Sequence, residues 1–248
     1  MMRPVDYDVL IVGAGFAGSE AAYALAQKGV RVGLITTSLD SVYLPFTPIQ
    51  APFPQGSLLA EVGEEGLKGW ALHSRAKYKL ENHPHIHLLQ LSVTRLLLEE
   101  SAVVGIQSWE GPSKTAGKVV LAVGSFLSPR LYIGSIAEEA GRLSEVAYPD
   151  LYEHLEQLGF TFSTQEASVL EQSGTPGYRV AYRVFAEGEW DAATFRLNRL
   201  EGLYAVGLCV LGQGTYAQMA EEGMRLAESL GLEAAREDGK HPSKVEKL

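Results

Sequence analysis

The chain has 248 residues, 46% of them apolar, a formal net charge of −9 and one cysteine, Cys209. That much apolar material supports one large buried core, or a core with a small excursion. The acidic balance argues against general binding to nucleic acid or an anionic membrane, which runs on basic patches, and a lone cysteine makes neither an internal disulfide nor a cysteine-based metal site.

The first element is "YDVLIVG" (7–13), a short apolar run of the kind buried on both faces of a parallel sheet. "AGSEAAYALAQKG" (17–29) follows, with Ala21, Ala22, Leu25 and Ala26 at helical spacing and Gly29 as the stop. "VRVGLIT" (30–36) is the next buried strand, which completes a βαβ unit and predicts a parallel sheet. Between the first strand and the helix lies "GAGFAG" (13–18), a G-x-G-x-x-G in the correct context. Gly13 permits the turn, Gly15 lets the backbone approach a pyrophosphate and Gly18 lets helix and strand pack closely, while the helix N-terminus offers N–H groups to phosphate. The acid that holds a ribose in such sites is expected about 20 residues further on. Thr36 and Thr37 stand there instead, with Asp40 slightly late as a candidate substitute. The gap disfavours a routine NAD site, and no arginine follows to favour NADP.

Residues 38–57 carry Pro45, Pro48, Pro52, Pro54 and Gly56, which exclude a regular helix or central strand. So long a connection suggests a ligand-covering loop, with Tyr43 and Phe46 placed to cover a flat ring; a plain surface excursion with apolar anchors is the alternative. Residues 58–81 read as one helix with Leu58, Leu59, Val62, Leu67, Trp70, Ala71 and Tyr78 on its apolar side. Arg75, Lys77 and Lys79 add charge that could meet an anion, although a solvated face is the simpler reading. "HPHIH" (83–87) offers three imidazoles but no carboxylate pair or cysteine to complete a metal site, and no metal is expected. "IHLLQLSV" and the segments after it, broken at Glu99-Glu100-Ser101 and Glu110-Gly111-Pro112-Ser113, suit a small antiparallel meander over about 92–117. The chain then returns to the main sheet at "KVVLAVG" (118–124). A short helix is expected at 149–159, a buried strand at "LYAVGL" (203–208) and an amphipathic helix at 215–230, with a frayed charged tail over 235–248.

"DVLIVGAGFAGSEAA", the threonine-ended "LITTSLD", "VVLAVGSFLSPRLYIGS", "AGRLSE", "PGYRVAYRVF" and "LEGLYAVG…GTYAQMAEEG" together resemble the flavoprotein family of glucose-inhibited division protein A, also called MnmG. The pieces span most of residues 6–230 in the family's order. The resemblance implies FAD as cofactor, and it accounts for the threonines, because the second strand in this family commonly ends in Thr. By position it implies FAD contacts at Gly13, Ala14, Gly15, Phe16, Ala17 and Gly18 on the pyrophosphate. Thr36, Thr37 and Ser38 would lie near the adenosine ribose and Val93 near adenine. Ala122, Val123 and Gly124 fall at the returning strand, and Gly207, Gly214, Thr215 and Tyr216 near the ribityl chain and flavin. Turn N–H groups near Gly214 and Thr215 would stabilise negative charge on a reduced flavin.

The sequence also departs from the family. Its large middle region and C-terminal helical domain, used for tRNA and partners, have no counterpart here, and "SGTPGYRV" joins segments far apart in the family. The loop that carries a catalytic cysteine there reads "DSVYLPFTPIQAPFPQG". Cys209, just after the strand expected to face the flavin, is either a reactive thiol or a buried small residue; Tyr216 either donates to the flavin or packs against it. The expectation is a Rossmann-type α/β FAD-binding domain over residues 1–234 in a cytoplasmic protein. It would be an oxidoreductase using NAD(P)H or another electron donor, acting alone, as a homo-oligomer or with a protein partner. The alternatives are a non-catalytic FAD-binding subunit or sensor, and a minimal tRNA-modification protein; nucleic acid is not an expected partner.

Overall fold

The computed structural model describes residues 5–142, 145–170 and 177–238. The βαβ unit forms as expected from β1 (Tyr7–Val12), α1 (Phe16–Ala26) and β2 (Val32–Thr36), and β1 pairs in parallel with β2 from Val9↔Val32 to Val12↔Ile35. Gly29 takes φ +82°, the left-handed turn that ends the helix region and costs a side chain dearly.

The stretch 58–81 is not one helix. It divides into α2 (Leu58–Val62) and α3 (Gly69–Glu81), because Gly63 ends the first with extended backbone and Gly66 turns the chain at φ +77°. The break resets the helical phase. Leu72, His73, Ala76 and Leu80 therefore face inward, while Trp70 and Tyr78, expected on the apolar side, are 63% and 68% exposed. The cations of α3 are paired rather than open to an anion: Arg75 with Glu64, Lys77 with Glu81 and Lys79 with Glu61.

β3 (Ile86–Gln90) extends the parallel sheet beside β2. His87 on it reaches the Tyr7 hydroxyl with Nδ1 at 3.1 Å. The meander forms as β4 (Val93–Glu99) and β5 (Ala102–Ser108), and it runs directly into β6 (Ser113–Leu121). The first residues of β6 pair antiparallel with β5, and the rest pair in parallel with β1 on one side and with β13 (Leu203–Ala205) on the other. One long strand thus belongs to both the meander and the main sheet, whose parallel order is β3-β2-β1-β6-β13. This is a Rossmann-type α/β sheet, and its crevice opens where β1 meets β6, beyond the strands' C-terminal ends.

A second sheet is absent from the sequence expectation. β7 (Arg130–Ile133), β8 (Ile136–Glu138), β11 (Phe162–Val169) and β12 (Tyr178–Phe185) form it in the order β11-β12-β7-β8. "YRVAYRVF" did carry its signal: Tyr178, Val180, Tyr182 and Val184 alternate and are buried. Between these strands lie β9 (Ala140–Arg142), β10 (Glu145–Val146) and α4 (Pro149–Gln157), the last with its proline at the first turn. Residues 173–176 of the "SGTPGYRV" junction lie outside the described residues.

β13 stops at Ala205 and gives way to the short α5 (Leu208–Leu211). The final helix α6 runs Tyr216–Asp238, beyond the expected end at 230 and through the first residues of the expected tail; residues 239–248 lie outside the described ones.

The main sheet has a core on each face, as the period-two alternation of β1 requires. Val9 and Ile11 join α1, α2, α3 and α6, whereas Leu10 and Val12 join β4, β5 and α4. Helix α6 crosses α1 backbone to backbone, since any Cβ on Gly223 would overlap Ala17 O. Glu20 on α1 is 1% exposed. Its carboxylate accepts from the Leu58 and Leu59 N–H groups at 2.7 and 2.8 Å and from the Tyr43 hydroxyl, which satisfies orphan donors at the start of α2.

Candidate functional site

The turn after β1 is shaped by its glycines in different ways. Gly13 sits at φ +110° and donates its N–H to Ile35 O at 2.8 Å, and a Cβ there would overlap Ala122 O. A Cβ on Gly18 would overlap Gly13 O. Both glycines are demanded by the packing of the turn itself. Gly15 is different. It caps α1 at φ −73° in extended backbone that any residue adopts, and no atom lies within 4 Å of where its Cβ would be. Nothing inside the protein needs a glycine there, whereas a ligand backbone-close to the helix N-terminus would.

The space beside Gly15 is a cleft of about 810 Å³, which falls in the roughly 300–1,000 Å³ range of cofactor and ligand sites. Fourteen of the seventeen expected contact residues line it: Gly13 to Ala17, Thr36, Thr37, Ala122, Val123, Gly124, Gly207, Gly214, Thr215 and Tyr216. Gly18, Ser38 and Val93 do not. Gly18 is consumed by the turn. The Ser38 carbonyl accepts from the Thr36 hydroxyl at 2.9 Å, closing a tight turn below the cleft. Val93 starts β4, pairs with Ser108 and is buried in the core on the meander side. Asp40 is exposed and also off the cleft.

The 38–57 loop forms one wall. Leu44, Phe46, Thr47, Pro48, Gln50, Ala51 and Pro52 line the cleft. Tyr43 does not cover it: its ring is fully buried, stacked 4.1 Å from Phe16, with its hydroxyl on Glu20. Tyr43 N also donates to Ala14 O at 2.9 Å, and His73 Nδ1 lies 2.6 Å from Val42 O. The loop is therefore pinned to the phosphate turn and to α3.

Tyr216 supplies a third pin. Its ring stacks on Phe16 at 4.4 Å, and its hydroxyl accepts from the Phe46 and Thr47 N–H groups at 2.6 and 3.0 Å. Tyr216→Phe leaves two loop donors without that acceptor. The expected result is loosening of residues 44–50 by about 1–2 kcal/mol, read as faster amide exchange and faster proteolytic nicking there while the β1 amides stay protected. Unchanged exchange in 44–50 would show that the hydroxyl does not hold the loop.

The N–H of Thr215 is not open to a ligand as expected. It donates to Gln218 Oε1 at 2.8 Å while Gln218 N donates to Thr215 Oγ1 at 3.2 Å, a capping box at the start of α6. Cys209 is the buried small residue of the two alternatives. It is fully buried in the core under β6, its Sγ is 3.4 Å from the Leu121 and Val206 carbonyls, and burial pushes its thiol up to about 12.

The remaining wall was not read from the sequence. Ser125, Phe126, Arg142, Glu145 and Tyr148 line the cleft from the segment after β6. Arg142 donates to Leu44 O and Pro45 O at 3.0 and 3.4 Å, lies 4.4 Å over the Phe46 ring and pairs with Glu145 at 3.3 Å. The stretches "VVLAVGSFLSPRLYIGS" and "AGRLSE" entered the resemblance, but no local spacing assigns these residues a role.

A sequence profile of the family described as glucose inhibited division protein A matches residues 8–63 and 70–172, more than half of the chain. The chain belongs to this family. Among solved structures, the crystal structure of the GidA-related protein from Thermus thermophilus is 58% identical, with a TM-score of 0.87 over 92% of this chain and 99% of that one. The structure of Aquifex aeolicus GidA is 14% identical with a TM-score of 0.76, covering 91% of this chain and 66% of that one, a likeness of fold. The tRNA uridine 5-carboxymethylaminomethyl modification enzyme MnmG of Chlamydia trachomatis serovar A is 32% identical over 189 residues, 63% of this chain and 31% of the enzyme. The chain thus spans about a third of the length of such curated relatives. The glucose inhibited division protein A family is FAD-binding, and the cleft fits a dinucleotide at Gly15, where a Cβ would fill the space at the helix N-terminus. No helix among the described residues is long and apolar enough to cross a membrane.

Proposed function

We propose that this protein holds FAD in the cleft and acts as an oxidoreductase. The observation that carries the reading is Gly15, which lines the cleft at the N-terminus of α1 and has no atom of the protein within 4 Å of its Cβ position. There the first-turn N–H groups of α1 and its positive dipole end would receive the pyrophosphate. The family resemblance would put the flavin ring near Gly207 and Gly214, which line the same cleft as Leu208 and as Pro48 and Pro52 of the loop. Bound FAD supplies two-electron redox chemistry. The protein's contribution is position, a largely apolar wall and exclusion of water by the pinned loop.

A second reading, a non-catalytic FAD-binding subunit or sensor, draws support from the side chains present. Among the described residues that line the cleft only Arg142, Glu145 and Glu221 are charged, and none is a thiol or an imidazole. Arg142 is committed to Glu145 and to the carbonyls of the loop. The purified protein is expected to absorb at about 450 nm and to release FAD on denaturation. Anaerobic bleaching by NADH or NADPH, with recovery in air, supports the oxidoreductase; a yellow protein that neither donor reduces supports the sensor or subunit. Co-purified tRNA would move the reading to a minimal tRNA-modification role, and a colourless protein that takes up no added FAD sinks all three.

A further inference from the structure

The end of β2 lacks the acid that receives a ribose in related dinucleotide sites, and its own side chains do not replace it. The Thr36 hydroxyl donates to Ser38 O at 2.9 Å and accepts from Ser38 N at 3.3 Å, so the turn occupies it. Asp40 is exposed and off the cleft. One carboxylate does reach this corner of the cleft, from a distant part of the chain. Glu145 on β10 lines the cleft with Thr36, Thr37 and Ser41, with its side chain 19% exposed. Tyr148, buried three residues on, contacts the Thr37 side chain, so the strand end and the 142–148 segment meet here.

We infer that Glu145 is the residue that binds the adenosine ribose of the bound dinucleotide, in place of the acid absent from β2. The inference rests on the proposed FAD binding. An ionised carboxylate accepts about four hydrogen bonds. Arg142 Nε takes one position at 3.3 Å and the Ser41 side chain another, which leaves acceptor capacity for a vicinal diol. Arg142 also favours the ionised form that the diol needs, against burial, which raises the Glu145 carboxyl above its ordinary value. Since Arg142 grips Leu44 O and Pro45 O, the same pair ties the ribose corner to the loop wall.

The test is competition of ADP, 2′-deoxy-ADP and 3′-deoxy-ADP against FAD, with FMN titrated separately. Wild type is expected to bind ADP about tenfold or more tighter than at least one deoxy analogue. Glu145→Gln and Glu145→Ala are expected to weaken ADP and FAD about 10- to 100-fold and to bind the three nucleotides alike, with FMN binding unchanged. Either variant that melts like wild type serves as the measurement, so a fold defect in one does not decide the matter. If the variants keep the wild-type preference for ADP, or weaken all three nucleotides by one factor, Glu145 is a structural clamp for Arg142 and the inference is overturned. FAD and ADP binding by wild type with no hydroxyl preference overturns it while leaving the cofactor reading intact. Failure of wild type to bind FAD or ADP overturns both.

Discussion

Gly15→Ala is expected to leave the apoprotein folded and to empty the cleft. The added methyl meets no atom of the protein within 4 Å and the backbone there is ordinary extended chain, so the fold has no reason to resist it. At a helix N-cap the exchange should destabilise by no more than about 1 kcal/mol, a shift of roughly 2–4 °C in Tm for a chain of this size. The same methyl occupies the space at the N-terminus of α1 where a pyrophosphate would sit, and FAD affinity should fall about 100-fold, about 2.7 kcal/mol. Gly18→Ala gives the opposite pattern. Its methyl overlaps Gly13 O, so the apoprotein should lose about 3 kcal/mol or more, roughly 6–12 °C in Tm, before any ligand is added. The measurement is apoprotein melting beside FAD titration by flavin fluorescence. If Gly15→Ala binds FAD as wild type does, the pyrophosphate is not at Gly15.

Glu20 is expected to dominate the stability of the wall behind the cleft. Glu20→Ala strands three buried donors, the Tyr43 hydroxyl and the Leu58 and Leu59 N–H groups. The expected loss is about 3–5 kcal/mol, with the 38–57 loop and α2 exchanging amides first. The residue also makes stability depend on pH. Burial pushes the Glu20 carboxyl up to about 7 from an ordinary 4.5, Glu61 nearby adds to the rise, and the three donors oppose it. Between those values the native state binds more protons than the unfolded chain. The contribution is therefore complete below pH 4.5, falls as pH rises and is gone above about 7, a span on the order of 3 kcal/mol. Tyr43→Phe removes a donor that holds the carboxyl down, so it should raise the titration further and widen the window. Chemical denaturation from pH 4 to 9 checks this. A slope across the 4.5–7 window that is the same in wild type, Tyr43→Phe and Glu20→Gln would assign the dependence to another group.

Much of the architecture was legible because its signals are local. The apolar runs of β1 and β2, the glycine spacing between β1 and α1 and the proline-rich loop all report on contacts within a few residues. The limits of that reading have physical causes. The apolar stripe drawn over 58–81 assumed an unbroken helical phase, and the turn at Gly63–Gly66 rotated Trp70 and Tyr78 out to solvent. Tyr43 looked like a ring cover because it is an aromatic in a long proline-rich connection, yet Glu20, 23 residues earlier, draws it into the core. Thr215 looked like an open donor until Gln218 closed the capping box on it.

The glycine spacing within one βαβ unit predicted a dinucleotide site and a parallel sheet, and the family resemblance implied FAD and the fourteen expected contacts that line the cleft, seven of them at Ala122 or later in the chain. Only the tertiary structure decided what completes the site. Arg142, Glu145 and Tyr148 reach the end of β2 from about a hundred residues further along the chain, brought there by the pairing of β6 with β1 and the segment that follows it. Side-chain chemistry can be read from a sequence, but proximity between distant segments is created by packing, and Glu145, the carboxylate proposed for the ribose, comes near the end of β2 only because the chain folds back.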